Sequence, residues 1–338
     1  MNPVHVLVTH PFDESLLVRL RGVSPRVNII SKPAQTAAEI PAEIWEKIEV
    51  LYTLRALPKP QQVPALRWVQ CHLAGLDHWQ NEPLLNQPQV TITHLSGAAI
   101  SQMAEYVLMG LLALSHRLPE LLQAQARREW AQDRWTRFLP NELRDATVGI
   151  IGYGSVGRQT ARLLQAFGAT VLAVKRNAMQ VADTGYTPQG LGDPQGDYVH
   201  RIYPVEALCS MLHQCDFVVV TVPLTPATRN LLGERELACM KPTAGIVDVS
   251  RGGIINAAAL LNALKSGKLG GAVLDVFAQE PLPPESPFWS LPNVFISPHI
   301  SGSSPLYNTR AADLFGENLL RYLSGLPLYN RYDPQEGY

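Results

Sequence analysis

Residues 147–157 read Thr147-Val148-Gly149-Ile150-Ile151-Gly152-Tyr153-Gly154-Ser155-Val156-Gly157, an apolar run that ends in a glycine cluster. Thr147 to Ile151 is a short apolar run with β-branched residues, the composition of a parallel strand buried on both faces. From Ser155 the period lengthens. Val156, Thr160, Leu163, Leu164 and Phe167 recur at helical spacing, and Gly168 stands where a left-handed helix stop belongs. A strand therefore feeds a helix through Gly152-x-Gly154-x-x-Gly157. Gly152 permits the tight turn, Gly154 lets the backbone approach a pyrophosphate, and Gly157 lets helix and strand pack closely. The first-turn N–H groups and the positive end of the helix dipole then hold the anion. The flanking strand and helix are the context that this motif requires, so the pattern predicts a dinucleotide site.

Downstream, strand-like runs recur at Thr170–Val174, Phe217–Val222, Ile246–Val249, Ala272–Val276 and Val294–Ile296, with helical segments at 205–214 and 257–266 between them. This is the rhythm of a doubly wound parallel sheet. Residues 183–203 break it with a polar run rich in Gly and Pro, which predicts a loop insertion. Pro281-Leu282-Pro283-Pro284 predicts a rigid, extended connection.

Upstream, short runs at Val4–Thr9, Val27–Ile30, Val50–Tyr52, Trp68–His72 and Val90–Thr93 alternate with helical stretches and predict a first α/β unit ending near Gly97. Ile100–Leu114 is the longest apolar stretch. It carries Ser101, Gln102 and Glu105 and is shorter than the ~20 residues of a membrane span, so it predicts a buried linking helix. The tail from Ser301 has a helical pattern through Leu314, Leu319, Leu320 and Leu323 and is expected to return to the first unit. The expected division is a substrate domain over 1–98 plus 302–338 and a dinucleotide-binding domain over 99–301.

The chain has 338 residues, 46% of them hydrophobic, enough for two cores. Its 28 basic and 29 acidic side chains leave a net charge of −1, which gives no overall pull toward nucleic acid or an anionic membrane. Met1-Asn2-Pro3 leads straight into Val4, with no basic leader, so a cytoplasmic protein is expected. Cys71, Cys209, Cys215 and Cys239 show no paired spacing and are expected to be free thiols. His72, His78 and His94 lack metal-ligand spacing, and no metal is expected. Residues 119–145 place Trp130 and Trp135 among Arg127, Arg128, Arg134 and Arg137, which fits either a solvated basic face or a contact with a partner subunit or substrate.

In an open parallel sheet, ligands bind outside the carboxyl ends of the strands. Three polar residues follow strand ends there: Arg251 after Val247-Asp248-Val249-Ser250, Glu280 after Leu274-Asp275-Val276-Phe277, and His299 after Phe295-Ile296-Ser297-Pro298. A guanidinium can grip a carboxylate bidentately, and an imidazole can give or take the proton when a carbonyl and an alcohol interconvert. A carboxylate on one ring nitrogen would fix the tautomer and favour imidazolium. Beside a dinucleotide, this set predicts hydride transfer to a 2-oxo acid.

These residues carry a resemblance. Gly152-x-Gly154-x-x-Gly157, Thr221-Val-Pro-Leu-Thr-Pro-Ala-Thr228, Met240-Lys241-Pro242, Val249-Ser-Arg251-Gly-Gly, Leu274-Asp-Val-Phe-Ala-Gln-Glu280-Pro-Leu and Ser297-Pro-His299-Ile-Ser-Gly302 together resemble the D-isomer-specific 2-hydroxyacid dehydrogenase family. The first domain matches more loosely, through Leu73-Ala74-Gly75-Leu76-Asp77 and Gly97 to Glu105. The resemblance implies a Rossmann domain with a smaller flavodoxin-like domain, and a homodimer built around the linking helix. It also implies that Arg251 binds the substrate carboxylate, His299 is the acid/base, Glu280 orients it, and Ala74 and Gly75 offer N–H groups to the substrate. Cofactor contacts are implied at Gly152, Tyr153, Gly154, Ser155, Val156, Gly157, Val222, Pro223, Thr228, Val249, Ser250, Asp275, His299 and Gly302, with Asp275 on the nicotinamide carboxamide.

The departures bear on the cofactor. Where NAD-using relatives end the second strand with an acid, this chain has Lys175-Arg176-Asn177, and Arg158 follows the third glycine. Such cations are expected to face a 2′-phosphate, favouring NADP(H) over NAD(H). Asp248 replaces the asparagine common in the family, and Glu280 argues against formate dehydrogenase, which has glutamine there. The regulatory C-terminal domains of long phosphoglycerate dehydrogenases are not expected here. The other reading of the same fold is a dinucleotide-sensing regulatory protein, like the family's corepressor relatives.

Overall fold

The computed structural model describes residues 3–334 and 336–337, so Met1 and Asn2 of the leader reading lie outside the described residues. The strands are runs of three to five residues that pair in parallel; central ones such as Phe217–Val220 and Gly271–Leu274 are apolar and buried on both faces, and the helices between strands supply the crossovers.

The first unit takes the chain to Ala99, together with Thr184–Tyr186 and the segment from Ser304 onward. Its strands are β1 (Val4–Val8), β2 (Val27–Ser31), β3 (Val50–Thr53), β4 (Trp68–Cys71) and β5 (Thr91–Thr93), in the spatial order β2-β1-β3-β4-β5. This is the flavodoxin-like order, reversing between β1 and β3. The helix Tyr307–Leu323 buries Leu314, Phe315 and Leu319 in the same core as Val6, Val8, Tyr52 and Trp68.

The second unit, Ile100–Asp183 with Thr187–Ser303, holds β6 (Thr147–Ile151), β7 (Thr170–Val174), β8 (Arg201–Tyr203), β9 (Phe217–Val220), β10 (Gly245–Asp248), β11 (Gly271–Leu274) and β12 (Val294–Ile296). Their order is β12-β11-β10-β9-β6-β7-β8, the doubly wound Rossmann order, with its reversal between β6 and β9. In the register, Ile151 at the end of β6 pairs with Val174 of β7 and Val220 of β9, which puts the phosphate loop at that reversal. The helix Ile100–Ser115 packs on this sheet, and a Cβ on Gly110 would lie 3.2 Å from Val247 and Val273 side chains. No helix among the described residues is long and apolar enough to cross a membrane.

Two expectations need correction. The 183–203 insertion is not all loop: Arg201–Tyr203 is an edge strand on β7, and three residues with one flank buried leave too short a pattern to read. Thr184–Tyr186 moreover belongs to the first unit, where the Tyr186 N–H donates to Asn330 Oδ1 at 3.2 Å. Nor are all four cysteines free. Cys209 and Cys239 form a disulfide with Cα atoms 5.5 Å apart, while Cys71 and Cys215 are free and buried. The pair is 30 residues apart in sequence and meets only because the helices Leu208–Leu212 and Glu234–Ala238 pack together.

Candidate active site

The space around the three glycines of the loop differs in a way that fits their expected tasks. Gly152 has φ +102, and a Cβ there would lie 2.8 Å from Val222 Cγ1. A Cβ on Gly157 would lie 2.4 Å from the Gly152 carbonyl oxygen, so this helix position accepts hydrogen alone. Gly154 differs, since a Cβ there would meet nothing within 4 Å. It faces open space at the N-terminus of the helix Ser155–Ala166, whose first backbone bond runs from Arg158 N to Gly154 O at 2.9 Å. The amides of Ser155, Val156 and Gly157 therefore keep the orphan donors of a first turn. An open cradle backed by free donors fits a dinucleotide pyrophosphate.

Around the cradle, the Thr221 hydroxyl donates to Gly152 O at 2.7 Å, tying the end of β9 to the loop. Thr228 Oγ1 donates to Pro223 O at 2.6 Å and accepts from Thr225 N at 2.8 Å, which closes the turn that follows Val222. The Tyr153 side chain is not open to a ligand. Its ring is 2% exposed and its hydroxyl donates to Asp193 Oδ2 at 2.5 Å. Burial and then the Asp193 carboxylate push this phenol well above its ordinary pKa.

Arg158 corrects the cofactor reading. It is 1% exposed, stacks on the Tyr153 ring, and donates to the carbonyls of Asp193 at 2.5 Å and Val181 at 2.6 Å. The insertion folds over this helix and takes the guanidinium, so Arg158 does not face a 2′-phosphate. The two cations at the end of β7 differ. Lys175 Nζ donates to Gln180 O at 2.7 Å, and burial followed by the nearby Arg158 charge lowers its pKa. Arg176 is exposed.

Arg251, Glu280 and His299 follow β10, β11 and β12 on the carboxyl side of one sheet. Gly252 sets the first loop against the second, because a Cβ there would stand 2.0 Å from the Phe277 carbonyl carbon and oxygen. Arg251 is half-buried, and its Nη1 donates to Ser250 O at 2.8 Å. His299 Nδ1 lies 2.7 Å from Glu280 Oε2, and the other carboxylate oxygen accepts from Phe277 N at 2.9 Å. The His299 backbone is left-handed at φ 55, a conformation uncommon outside glycine.

Asp275 holds that backbone in place. Its Oδ1 accepts from Ser297 Oγ at 2.5 Å and Ile300 N at 2.8 Å, and its Oδ2 from Ser301 N at 2.9 Å. The carbonyl of Asp275 accepts from His299 N at 2.9 Å. Gly302 O accepts from Gln102 Nε2 at 2.8 Å, closing the loop. Next to it, Asp248 is 3% exposed and accepts from the Ser250 N–H at 3.0 Å and from the Ser250 hydroxyl. Burial pushes its pKa up to about 7, against the Ser250 hydrogen bonds and with the help of the Asp275 charge. Val249 beside it is buried.

In the first unit, Ala74 and Gly75 lie on the loop after β4, Ala74 exposed and Gly75 half-buried, and their amides have no protein partner among the described residues. His10, Tyr52 and Asn308, for which the sequence gives no site expectation, cluster with His72 at the carboxyl end of the same sheet. The rule of inspecting residues just past a strand end would have reached His10 after β1. Among the described residues no group of His, Cys, Asp and Glu could hold a metal ion.

A Rossmann cradle joined to an Arg, Glu and His set past three strand ends defines a dinucleotide-dependent oxidoreductase. The description "D-isomer specific 2-hydroxyacid dehydrogenase, NAD binding domain" matches residues 108–301. Glyoxylate reductase of Thermococcus gammatolerans is 33% identical over 316 residues, spanning 92% of this chain and 83% of its own. The D-isomer specific 2-hydroxyacid dehydrogenase of Xanthobacter autotrophicus Py2, solved with NADPH and MES, is similar over 100% of both chains, with TM-score 0.81 and 28% identity. The NADPH-dependent glyoxylate/hydroxypyruvate reductase of Sinorhizobium meliloti, solved with NADP and sulfate, covers 99% of this chain and is itself covered over 100%, with TM-score 0.76 and 28% identity. The chain belongs to the D-isomer specific 2-hydroxyacid dehydrogenase family and is an NAD(P)-dependent enzyme of that class.

Proposed function

We propose that this enzyme reduces a small 2-oxo acid, of the glyoxylate or hydroxypyruvate kind, to the D-2-hydroxy acid, with NADPH favoured over NADH. The observation that carries the reading is the 2.7 Å contact between His299 and Glu280 on the loops beside Arg251. Arg251 binds the substrate carboxylate through its guanidinium fork. Glu280 accepts from Nδ1–H of His299, which leaves the proton on Nε2 directed at the substrate carbonyl oxygen. His299 gives that proton in reduction and takes it back in oxidation. The bound nicotinamide supplies the hydride. Ala74 and Gly75 offer amides to the substrate, and Asp275, with three loop bonds made, keeps one lone pair on Oδ2 for the nicotinamide carboxamide.

Support for NADPH comes from the end of β7, where no acid stands and Arg176 is exposed. The Sinorhizobium relative, solved with NADP, points the same way. We place the enzyme in the cytoplasm as a homodimer. The dimer reading is supported by exposed apolar side chains on and after the linking helix: Met109, Leu121 and Leu122 at 38–45% exposure, and Trp130 and Trp135 at 81% and 76%. Burial of such a row against a second subunit would account for it. The test is a panel of 2-oxo acids with each cofactor, followed by absorbance of the reduced nicotinamide. Turnover of glyoxylate or hydroxypyruvate with NADPH is expected; oxidation of neither NADPH nor NADH by any member of the panel would overturn the reading.

A further inference from the structure

At the carboxyl ends of β1, β3 and β4, the first unit carries a polar cluster that the mechanism above leaves unused. The rings of His10 and His72 stack with centroids 3.6 Å apart and planes 21° apart. His10 stands two residues past β1, and His72 directly follows β4. The hydroxyl of Tyr52, fully buried on β3, lies 2.6 Å from His72 Nδ1.

That contact fixes a tautomer. A buried hydroxyl left without an acceptor is costly, and His72 Nδ1 is the acceptor within reach, so Tyr52 donates and Nδ1 carries no proton. The His72 proton therefore sits on Nε2. Burial, reinforced by His10, lowers the His72 pKa to about 3 and keeps the ring neutral. Tyr307 fixes the backbone by donating to His72 O at 3.0 Å. His10 Nε2–H donates to Asn308 Oδ1 at 3.2 Å, which leaves Nδ1 as an acceptor. Among the described residues, neither His72 Nε2 nor His10 Nδ1 has a protein partner, although His72 is 5% exposed.

Ligands in such a sheet bind where the strand order reverses, here between β1 and β3. The stack lies at that place, and Ala74 and Gly75 follow His72 by two and three residues. We propose that the His10–His72 stack binds a hydroxyl on carbon 3 of the substrate, His72 Nε2–H donating to its oxygen and His10 Nδ1 accepting its proton. This rests on the reading of a 2-oxo acid bound at Ala74 and Gly75. A neutral donor beside a neutral acceptor matches a hydroxyl, which is both. A methyl group there would strand both nitrogens, and a second carboxylate would meet the His10 lone pair. The favoured substrates are therefore 3-hydroxy-2-oxo acids.

Steady-state kinetics with NADPH on hydroxypyruvate, pyruvate and glyoxylate test the proposal, since pyruvate lacks only the carbon-3 hydroxyl of hydroxypyruvate and glyoxylate lacks carbon 3 altogether. The wild type is expected to favour hydroxypyruvate over pyruvate by at least roughly 100-fold in kcat/KM, because a site built for a hydroxyl rejects the analogue that lacks it. His72→Phe combined with Tyr52→Phe removes the buried bond from both sides. It should lower kcat/KM about tenfold for hydroxypyruvate and leave glyoxylate within about twofold. His10→Leu, which leaves the Tyr52 bond intact, should show the same split, so the test survives a poorly folded double variant. Equal losses on both acids, or no loss on hydroxypyruvate from His10→Leu, would overturn the proposal. A wild type inert toward all three acids would instead remove the 2-oxo acid reading, and this inference with it.

Discussion

His299 Nδ1 lies 2.7 Å from Glu280 Oε2, and Phe277 N holds the other oxygen of that carboxylate at 2.9 Å. The acid is thus aimed by the backbone, and the histidine by the acid. Replacing His299 by alanine should lower kcat at least ~100-fold, the low end for a positioned acid/base group. Glu280→Gln keeps the shape and loses the charge, and about a tenfold loss in kcat is expected from it. Steady-state rates together with an unchanged thermal midpoint check both.

The phosphate-loop glycines separate packing from binding. Gly157→Ala puts a Cβ 2.4 Å from a backbone oxygen, and a loss of about 1–3 kcal/mol in unfolding free energy is expected from overpacking. Gly154→Ala enters open space, so its stability should be unchanged while affinity for the dinucleotide falls. Thermal melts and cofactor titration of the two variants read out the difference; equal destabilisation would sink this assignment of tasks.

Asp248 carries a penalty that depends on pH. Its folded pKa is raised from 3.8 to about 7 by burial, so the stability of the protonated form is progressively lost as pH rises through that window. Asp248→Asn should therefore raise the melting temperature over wild type, with a gain that is small near pH 4 and larger near pH 8. A gain independent of pH would contradict a buried, titrating Asp248.

Arg176 is the exposed cation at the end of β7, and its removal tests the cofactor reading. Arg176→Ala is expected to reduce the NADPH/NADH ratio of kcat/KM about tenfold, the loss of one charge-assisted contact. The ratio in wild type and variant decides it, and an unchanged ratio would exclude Arg176 as the discriminating residue.

Both sheets were legible because β6, β9 and their neighbours are continuous apolar runs, a pattern that burial on both faces imposes. The edge strand β8 was not, since Arg201-Ile202-Tyr203 is brief and follows a turn-rich run. Arg251, Glu280 and His299 could be found by looking just past strand ends. Arg158 misled because its fate depends on an insertion that folds back to take its guanidinium, a contact without a local signature. The Cys209–Cys239 pair lacks a local signature for the same reason, whereas His10, two residues past β1, stands where inspection of strand ends finds it.

If His299 moves the proton, the pH dependence of kcat/KM must differ between the two directions of the reaction. Reduction of the 2-oxo acid needs imidazolium and oxidation of the 2-hydroxy acid needs neutral imidazole. The reductive rate is expected to fall with rising pH over the same interval in which the oxidative rate climbs, and His299→Ala is expected to abolish both limbs. The same limb in both directions, or opposed limbs that persist in His299→Ala, would contradict it.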